Sequence, residues 1–464
     1  MKLLSLILFF WLYINICSIS QSSDNQYRKP LIEVLDNIEI RFNVNLEYSS
    51  DLVKDLWLEN ADWRFRPDLE KTLNNVLLPL DLMYVKKDQT TYKIRKYRYA
   101  RITVEDGREI LDYLSSLYND IHSWEKRKNE LRQCMFKALS LSTLPEKPES
   151  KPVIKHKRKM NGYSVQNIAI ETLPGLYVCG SLYSPLKQKE KVPVILCPNG
   201  HFEGGRYRDD QQYRCAMLAR MGAVAVSYDL FAWGESLLQF KPEDHHRSLA
   251  MTIQALNSIR ILDYLLSLKN VDTSRVGITG ASGGGSQTML ISALDDRIKV
   301  SVPVVMLSSY FYGGCPCESG KPVHLCGNGT NNVEIAGMAA PRAQLVISDG
   351  EDWTAHVPEI EYPYLQKIYG YYGKEGNVQN IHFPDEGHDY GYNKRIATYD
   401  FMARHLGLNI SAVKDRKGNI DESDCIIEEE SELYVFGKNG EDLPAYAIKK
   451  FEDLEDLFNR SLIE

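Results

Sequence analysis

The sequence predicts an α/β fold: a mostly parallel sheet flanked by helices, preceded by a small α+β module. Three observations carry this. From residue 192 onward, short apolar stretches alternate with helical ones, the signature of strands joined by crossover helices. A G-x-S-x-G pattern lies between one such strand and the helix that follows it. The chain has 464 residues, 44% hydrophobic and 25% charged, which supplies a large core in one to three domains. That composition excludes a mostly disordered, collagen-like or disulfide-knotted chain. A net charge of -7 argues against nucleic acid as a partner, because such proteins usually present a basic surface. The deficit is local, since residues 412–464 carry 15 acidic and 7 basic side chains. The tail therefore reads as an acidic appendage to the main domain and says nothing about what the protein acts on.

Taken in order, residues 1–20 read as a signal peptide. Lys2 precedes an apolar run over 3–16, and Ser18 and Ser20 offer a small-x-small cleavage site. The run of about 14 residues is short of the roughly 20 that span a bilayer. Cys17 closes it, so lipid attachment is a rival to cleavage. The expected location is exported: periplasmic, or outer-membrane lipoprotein if Cys17 is lipidated. No later segment is apolar enough for a membrane span.

Residues 30–96 form the small module. Leu31, Val34, Leu35 and Ile38 suit one helix face, 44–48 alternates like a strand, 69–77 is a second helix, and a hairpin closes around Lys87 and Asp88. "LIEVLDNIEIRFNVNLEYSSDLV" and "LEKTLNNVLLPLDLMYVKKDQTTYKI" resemble the short N-terminal domain of secretins and TonB-dependent receptors. That resemblance implies a periplasmic protein partner, with a spacer role as the plainer reading. Residues 106–160 make a helical bridge and then a linker marked by Pro145, Pro148 and Pro152. The main domain, 161–464, has strands expected at 192–197, 223–228, 276–279, 300–305, 344–348 and 378–383, and helices at 209–221, 247–268 and 286–294. Its sequons at Asn328, Asn409 and Asn459 matter only in a eukaryotic source.

Of nine cysteines, only Cys315, Cys317 and Cys326 cluster. With His324 they form C-x-C-x6-H-x-C, which departs from the usual C-x2–4-C zinc spacing. A loop disulfide is expected there rather than a metal, and the chemistry below requires no metal or cofactor.

That chemistry starts at Gly280, Ser282 and Gly284. In a strand-turn-helix context the glycines allow a tight turn that presents the serine oxygen above the sheet, and the helix N-terminus behind it favours negative charge. Ser282 is the expected nucleophile, and Ser286 an early helix residue. A serine hydroxyl needs a base to take its proton and an acid to orient that base. His388, in a polar loop after the strand at 378–383, is the expected base; His382 lies inside the strand and His405 in the last helix. Asp352 is the expected acid beyond the strand at 344–348, in competition with Asp349 and Glu351. The oxyanion needs two backbone N–H donors. Gly283 and His201, the latter in the loop after 192–197, occupy those places. Residues 228–236 form a strand-4 loop, a structural marker. Trp233 and Trp353 are candidates to floor a sugar subsite by stacking, or core residues.

The segments "IETLPGLYVCGSLYSP", "LCPNGH", "SYDLFAWGES", "VGITGASGGGSQT", "TNNVEIAGMAAPRAQLVISDGEDWT" and "HFPDEGHDYG" stand in the order found in the α/β-hydrolase superfamily. They resemble its acetyl xylan esterase and carbohydrate esterase group, whose relatives include pectin methylesterases. The resemblance implies hydrolysis of ester substituents, acetyl or methyl uronate, on a plant cell-wall polysaccharide or oligosaccharide, with Ser282, Asp352 and His388 as triad. A uronate polymer favours a basic pocket, for which Arg206, Arg208 and Arg247 are candidates. A serine peptidase of the same fold and a catalytically inactive glycan-binding homologue remain alternatives. The filled triad positions disfavour the second.

Overall fold

The computed structural model describes residues 27–97, 100–187, 190–319 and 322–460. The leader segment 1–20, with Cys17, lies outside them. Among the described residues no helix is long and apolar enough to cross a membrane. The chain divides into two compact units, 1–99 and 100–464.

In the first unit, helices Leu31–Phe42 and Leu69–Leu77 pack on a three-stranded sheet. Its middle strand, Thr91–Lys96, runs parallel to Asn45–Glu47 and antiparallel to Leu82–Lys86. Leu31, Val34, Leu35 and Ile38 share one helix face because they recur at helical spacing, and they meet Leu73, Val76, Leu77, Tyr92 and Ile94 in a core. The Asp68 carboxylate accepts the Lys71 N–H at 2.8 Å and starts the second helix.

The second unit is built on one sheet of ten strands. In chain order they are β1 (Val153–Ile154), β2 (Arg158–Lys159), β3 (Tyr163–Leu173), β4 (Leu176–Pro185), β5 (Val192–Pro198), β6 (Val224–Tyr228), β7 (Val271–Ala281), β8 (Val300–Val304), β9 (Ala343–Asp349) and β10 (Val378–Phe383). The spatial order is β10-β9-β8-β7-β5-β6-β4-β3-β1, with β2 also on β3. Strands β5 to β10 are mutually parallel, and β1 to β4 add an antiparallel edge. Parallel strands covered on both faces must be apolar on both. In β5, Val194 and Leu196 join one core, while Ile195 and Cys197 join the other.

The covering helices are α1 (Val104–Ser116), α2 (Ile121–Ala138), α3 (Asp209–Arg220), α4 (Ala250–Ser267), α5 (Gly283–Leu294), α6 (Asn332–Gly337), α7 (Tyr362–Gly370), α8 (Tyr392–Leu406) and α9 (Phe451–Arg460). α4 and α5 lie on the Leu196 face, and α3 and α8 on the Ile195 face. α2 belongs to the same core as α4, through Trp124, Leu131 and Met135. A disulfide, Cys134–Cys326, also ties it down.

The acidic tail is not an appendage. Leu433, Val435, Phe436, Leu454 and Phe458 are buried, and its acids neutralise arginines of the main body. Glu428 pairs with Arg158 and Glu422 with Arg395, each at 2.5 Å. Charge counting alone could not register the apolar residues interleaved with those acids.

Candidate active site

Ser282 stands between β7 and α5 with φ +55° and ψ -123°, a backbone that a non-glycine residue holds only when its surroundings impose it. Its N–H donates to the Val304 carbonyl at 3.1 Å. The surroundings are packed backbone to backbone. A Cβ on Gly284 would lie 2.4 Å from the Pro198 carbonyl oxygen, and one on Gly200 2.5 Å from that of Ala281. The loop after β5 is thereby pressed against the turn that carries Ser282. Gly283 opens α5, so its N–H has no acceptor inside the helix, and the helix's positive end faces the same place. His201 sits close by, because a Cβ on Gly283 would meet its imidazole at 2.6 Å.

Asp352 and His388 come from the loops after β9 and β10. His388 Nδ1 lies 2.6 Å from Asp352 Oδ2. The other oxygen, Oδ1, accepts from the Thr354 N–H at 2.5 Å and its hydroxyl at 2.6 Å. Thr354 is a positioning residue that the sequence reading did not single out, although a threonine two residues past an aspartate is a recurrent local acceptor–donor pattern. Asp349 is engaged elsewhere, 3.1 Å from the buried Lys394 ammonium. Burial, then the nearby Asp352 charge, raise the Asp349 carboxyl to about 6. Glu351 is exposed. His382 bonds Ser348 at 2.9 Å and His405 packs on Phe401 at 4.3 Å, so neither approaches the Asp352–His388 pair.

The two tryptophans have different places. Trp353 lies against the His388 ring, with centroids 4.4 Å apart. Trp233 flanks His201 and His245 at 5.9 and 5.6 Å. It also lines an open groove of about 690 Å³ with Glu203, Tyr207, Tyr434 and Lys438.

Arg206 is not a substrate residue. It is fully buried, donating to Asp229 at 3.0 Å, to Ser181 and Leu433 at 2.9 and 2.8 Å, and to Glu235. A guanidinium with those acceptors filled has nothing left to offer a uronate. Burial holds the Asp229 carboxyl up at about 6 despite this partner. Arg208 stacks on Phe202 at 4.4 Å and pairs with Asp210, and Arg247 covers Phe451 at 4.2 Å.

The cysteine cluster holds the expected loop disulfide, and its third member pairs outside it. Cys326 bonds Cys134, and Cys315 bonds Cys317. His324 stacks on Tyr312 and bonds Asn332 at 3.0 Å. Instead, Cys315 and Cys317 meet His201 and His245, with the nearest sulfur and nitrogen atoms all within 4.8 Å. These four side chains could hold a metal ion. They come from segments far apart in the chain, which is why spacing did not group them. Burial pushes His245 down to about 4, so its ring is neutral at pH 7.

Comparison with known proteins places the chain in a family. A solved structure, methylesterase BT1017, is 49% identical, covers 96% of this chain and 98% of its own, and superposes with a TM-score of 0.86. The chain belongs to that protein's family of carbohydrate esterases. The esterase thus has the α/β-hydrolase fold, and by family it is a carboxylic ester hydrolase. A family model described as "Glucuronyl esterase, fungi" matches its residues 242–313, which include Ser282. A curated relative, 4-O-methyl-glucuronoyl methylesterase 1 of Sodiomyces alcalophilus, is 30% identical over 146 residues. That match spans 24% of the esterase and only 29% of the relative. A glucuronoyl esterase from Solibacter usitatus is 16% identical over 62% of this chain and 94% of its own, with a TM-score of 0.47.

Proposed function

We propose that the protein hydrolyses methyl esters of uronic acid residues on plant polysaccharide, using Ser282 as nucleophile, His388 as base and Asp352 as its orienting acid. The observation that carries the reaction type is the 2.6 Å Asp352–His388 contact beyond the strand end that follows the strained Ser282 turn, in the order serine, acid, histidine. The full-length likeness to a methylesterase favours methyl over acetyl.

In this reading His388 Nε2 takes the Ser282 hydroxyl proton as Oγ attacks the ester carbonyl carbon. The imidazolium is stabilised by Asp352, whose second oxygen Thr354 holds. Negative charge develops on the carbonyl oxygen and is met by the Gly283 and His201 N–H groups. Collapse breaks the bond to the methoxy oxygen, His388 returns the proton, and methanol leaves. Water, deprotonated by the same histidine, then attacks the acyl-enzyme and releases the uronate carboxylate and free Ser282. Trp233, in its open groove, is a platform for a sugar ring. Residues 1–20 support export to the periplasm, and the first unit supports docking there.

The test is a panel of methyl-esterified polyuronate, acetylated xylan and peptide substrates with detection of methanol, acetate and new termini. Methanol release that disappears in Ser282→Ala is expected. Acetate without methanol would replace the ester and keep the triad, and peptide cleavage alone would favour the peptidase reading.

A further inference from the structure

A second constellation stands beside the nucleophile, and its side chains play no part in the reaction above. His201 Nε2 lies 2.9 Å from His245 Nε2 and 3.0 Å from Cys317 Sγ. Cys315 Sγ lies 3.5 Å from both imidazole nitrogens. For tetrahedral zinc, with Zn–N about 2.0–2.1 Å and Zn–S about 2.3 Å, nitrogen and sulfur ligands sit about 3.5 Å apart. His245, Cys315 and Cys317 are buried.

The outer partner of His245 decides what its Nε2 atom is. His245 Nδ1 lies 2.5 Å from the Phe231 carbonyl oxygen, an acceptor only, so Nδ1 carries the hydrogen and Nε2 a lone pair. His201 Nδ1 faces the Glu318 carboxylate at 3.6 Å, beyond hydrogen-bond distance, and that carboxylate accepts from the Gly314 N–H and the Ser286 hydroxyl. His245 therefore has its N–H directed at a backbone carbonyl and its bare nitrogen at the cluster, the arrangement typical of metal-binding histidines. Two nitrogens and two sulfurs thus converge within 4.8 Å of one another, a spacing that a single tetrahedral cation bridges. An S2N2 donor set selects zinc among common divalent ions.

We propose that His201, His245, Cys315 and Cys317 form a closed zinc site that pins the loop after β5 against the Ser282 turn. With four protein ligands the site has no open position, so its role is structural. Cys315 and Cys317 also form a disulfide, and disulfide and zinc dithiolate are alternative states of one pair. Two thiols binding Zn²⁺ release two protons. The disulfide returns to two thiols by taking two electrons and two protons from a dithiol reductant, which leaves as its own disulfide. The site's location explains its consequence, because the His201 ring abuts Gly283.

The full-length protein, purified with a dithiol reductant and without chelator, should contain about one zinc per chain by elemental analysis. Cobalt in place of zinc should give a thiolate-to-cobalt charge-transfer band. The Cys315→Ser/Cys317→Ser variant should lose both signals, and His324→Ala should keep them. Chelation under reductant should lower the melting temperature of the unmodified protein, and added zinc should restore it. This last measurement needs no variant to fold. Reduced protein that takes up no zinc, or a double-serine variant that binds it equally well, would overturn the proposal.

Discussion

At the scale of single residues, the site depends on a few side chains held by others. Ser282→Ala should lower kcat/KM by at least about 10³-fold while circular dichroism and the denaturant midpoint stay unchanged, since the alanine loses only a hydroxyl. Thr354→Val removes the hydroxyl that fixes Asp352 Oδ1. A hydrogen bond to a charged group contributes about 1.5–3 kcal/mol, so kcat should drop about 10-fold or more, with KM little changed because the threonine does not touch substrate. Asp349 gives a pH signature. Its folded carboxyl titrates near 6 against an ordinary 3.8, so between those values the folded chain keeps a proton that the unfolded chain has released. This group therefore favours folding more as pH falls from 6 towards 4, and the advantage is absent above that window. Urea titrations from pH 4 to pH 7 should show the unmodified protein gaining stability relative to Asp349→Asn as pH falls. A constant difference would contradict this account.

At the scale of elements, strands and helices were legible where one physical requirement dominated. The apolar runs of β5, β8 and β9 have a single interpretation once both sheet faces are covered, and glycines 280 and 284 mark a turn whose backbone approach leaves no room for Cβ. The positions of Asp352 and His388 could be anticipated because strand ends converge at one edge of a parallel sheet. Contacts between distant segments were not legible. The role of Arg206 depended on Asp229 and Glu235 arriving from the loop after β6, and the His201–His245–Cys315–Cys317 group on three separate loops. Nothing in local spacing encodes such meetings. Arg206 offers a direct check, because removing one member of a buried ion network strands its partners. Arg206→Leu should destabilise the fold by about 3–5 kcal/mol, read as a lower denaturant midpoint at unchanged slope.

At the scale of the whole molecule, the second unit closes on itself through its last residues. Glu235, in the loop after β6, accepts from the backbone N–H groups of Val435 and Phe436 at 2.8 Å each, and Arg206 donates to the Leu433 carbonyl at 2.8 Å. Truncation before residue 429 should therefore yield chains that are largely insoluble or rapidly cleaved by protease, although they keep Ser282, Asp352 and His388. A soluble, protease-resistant truncation would show the tail to be dispensable. The same contacts set an order in time. Synthesis runs from the N-terminus and domains fold as they emerge, yet the acceptors at Glu235 stay unfilled until residues 433–436 leave the ribosome. A nascent chain thus holds every proposed reactive side chain while its scaffold is unfinished, and a nonsense codon between His388 and Leu433 is as disabling as one at the nucleophile.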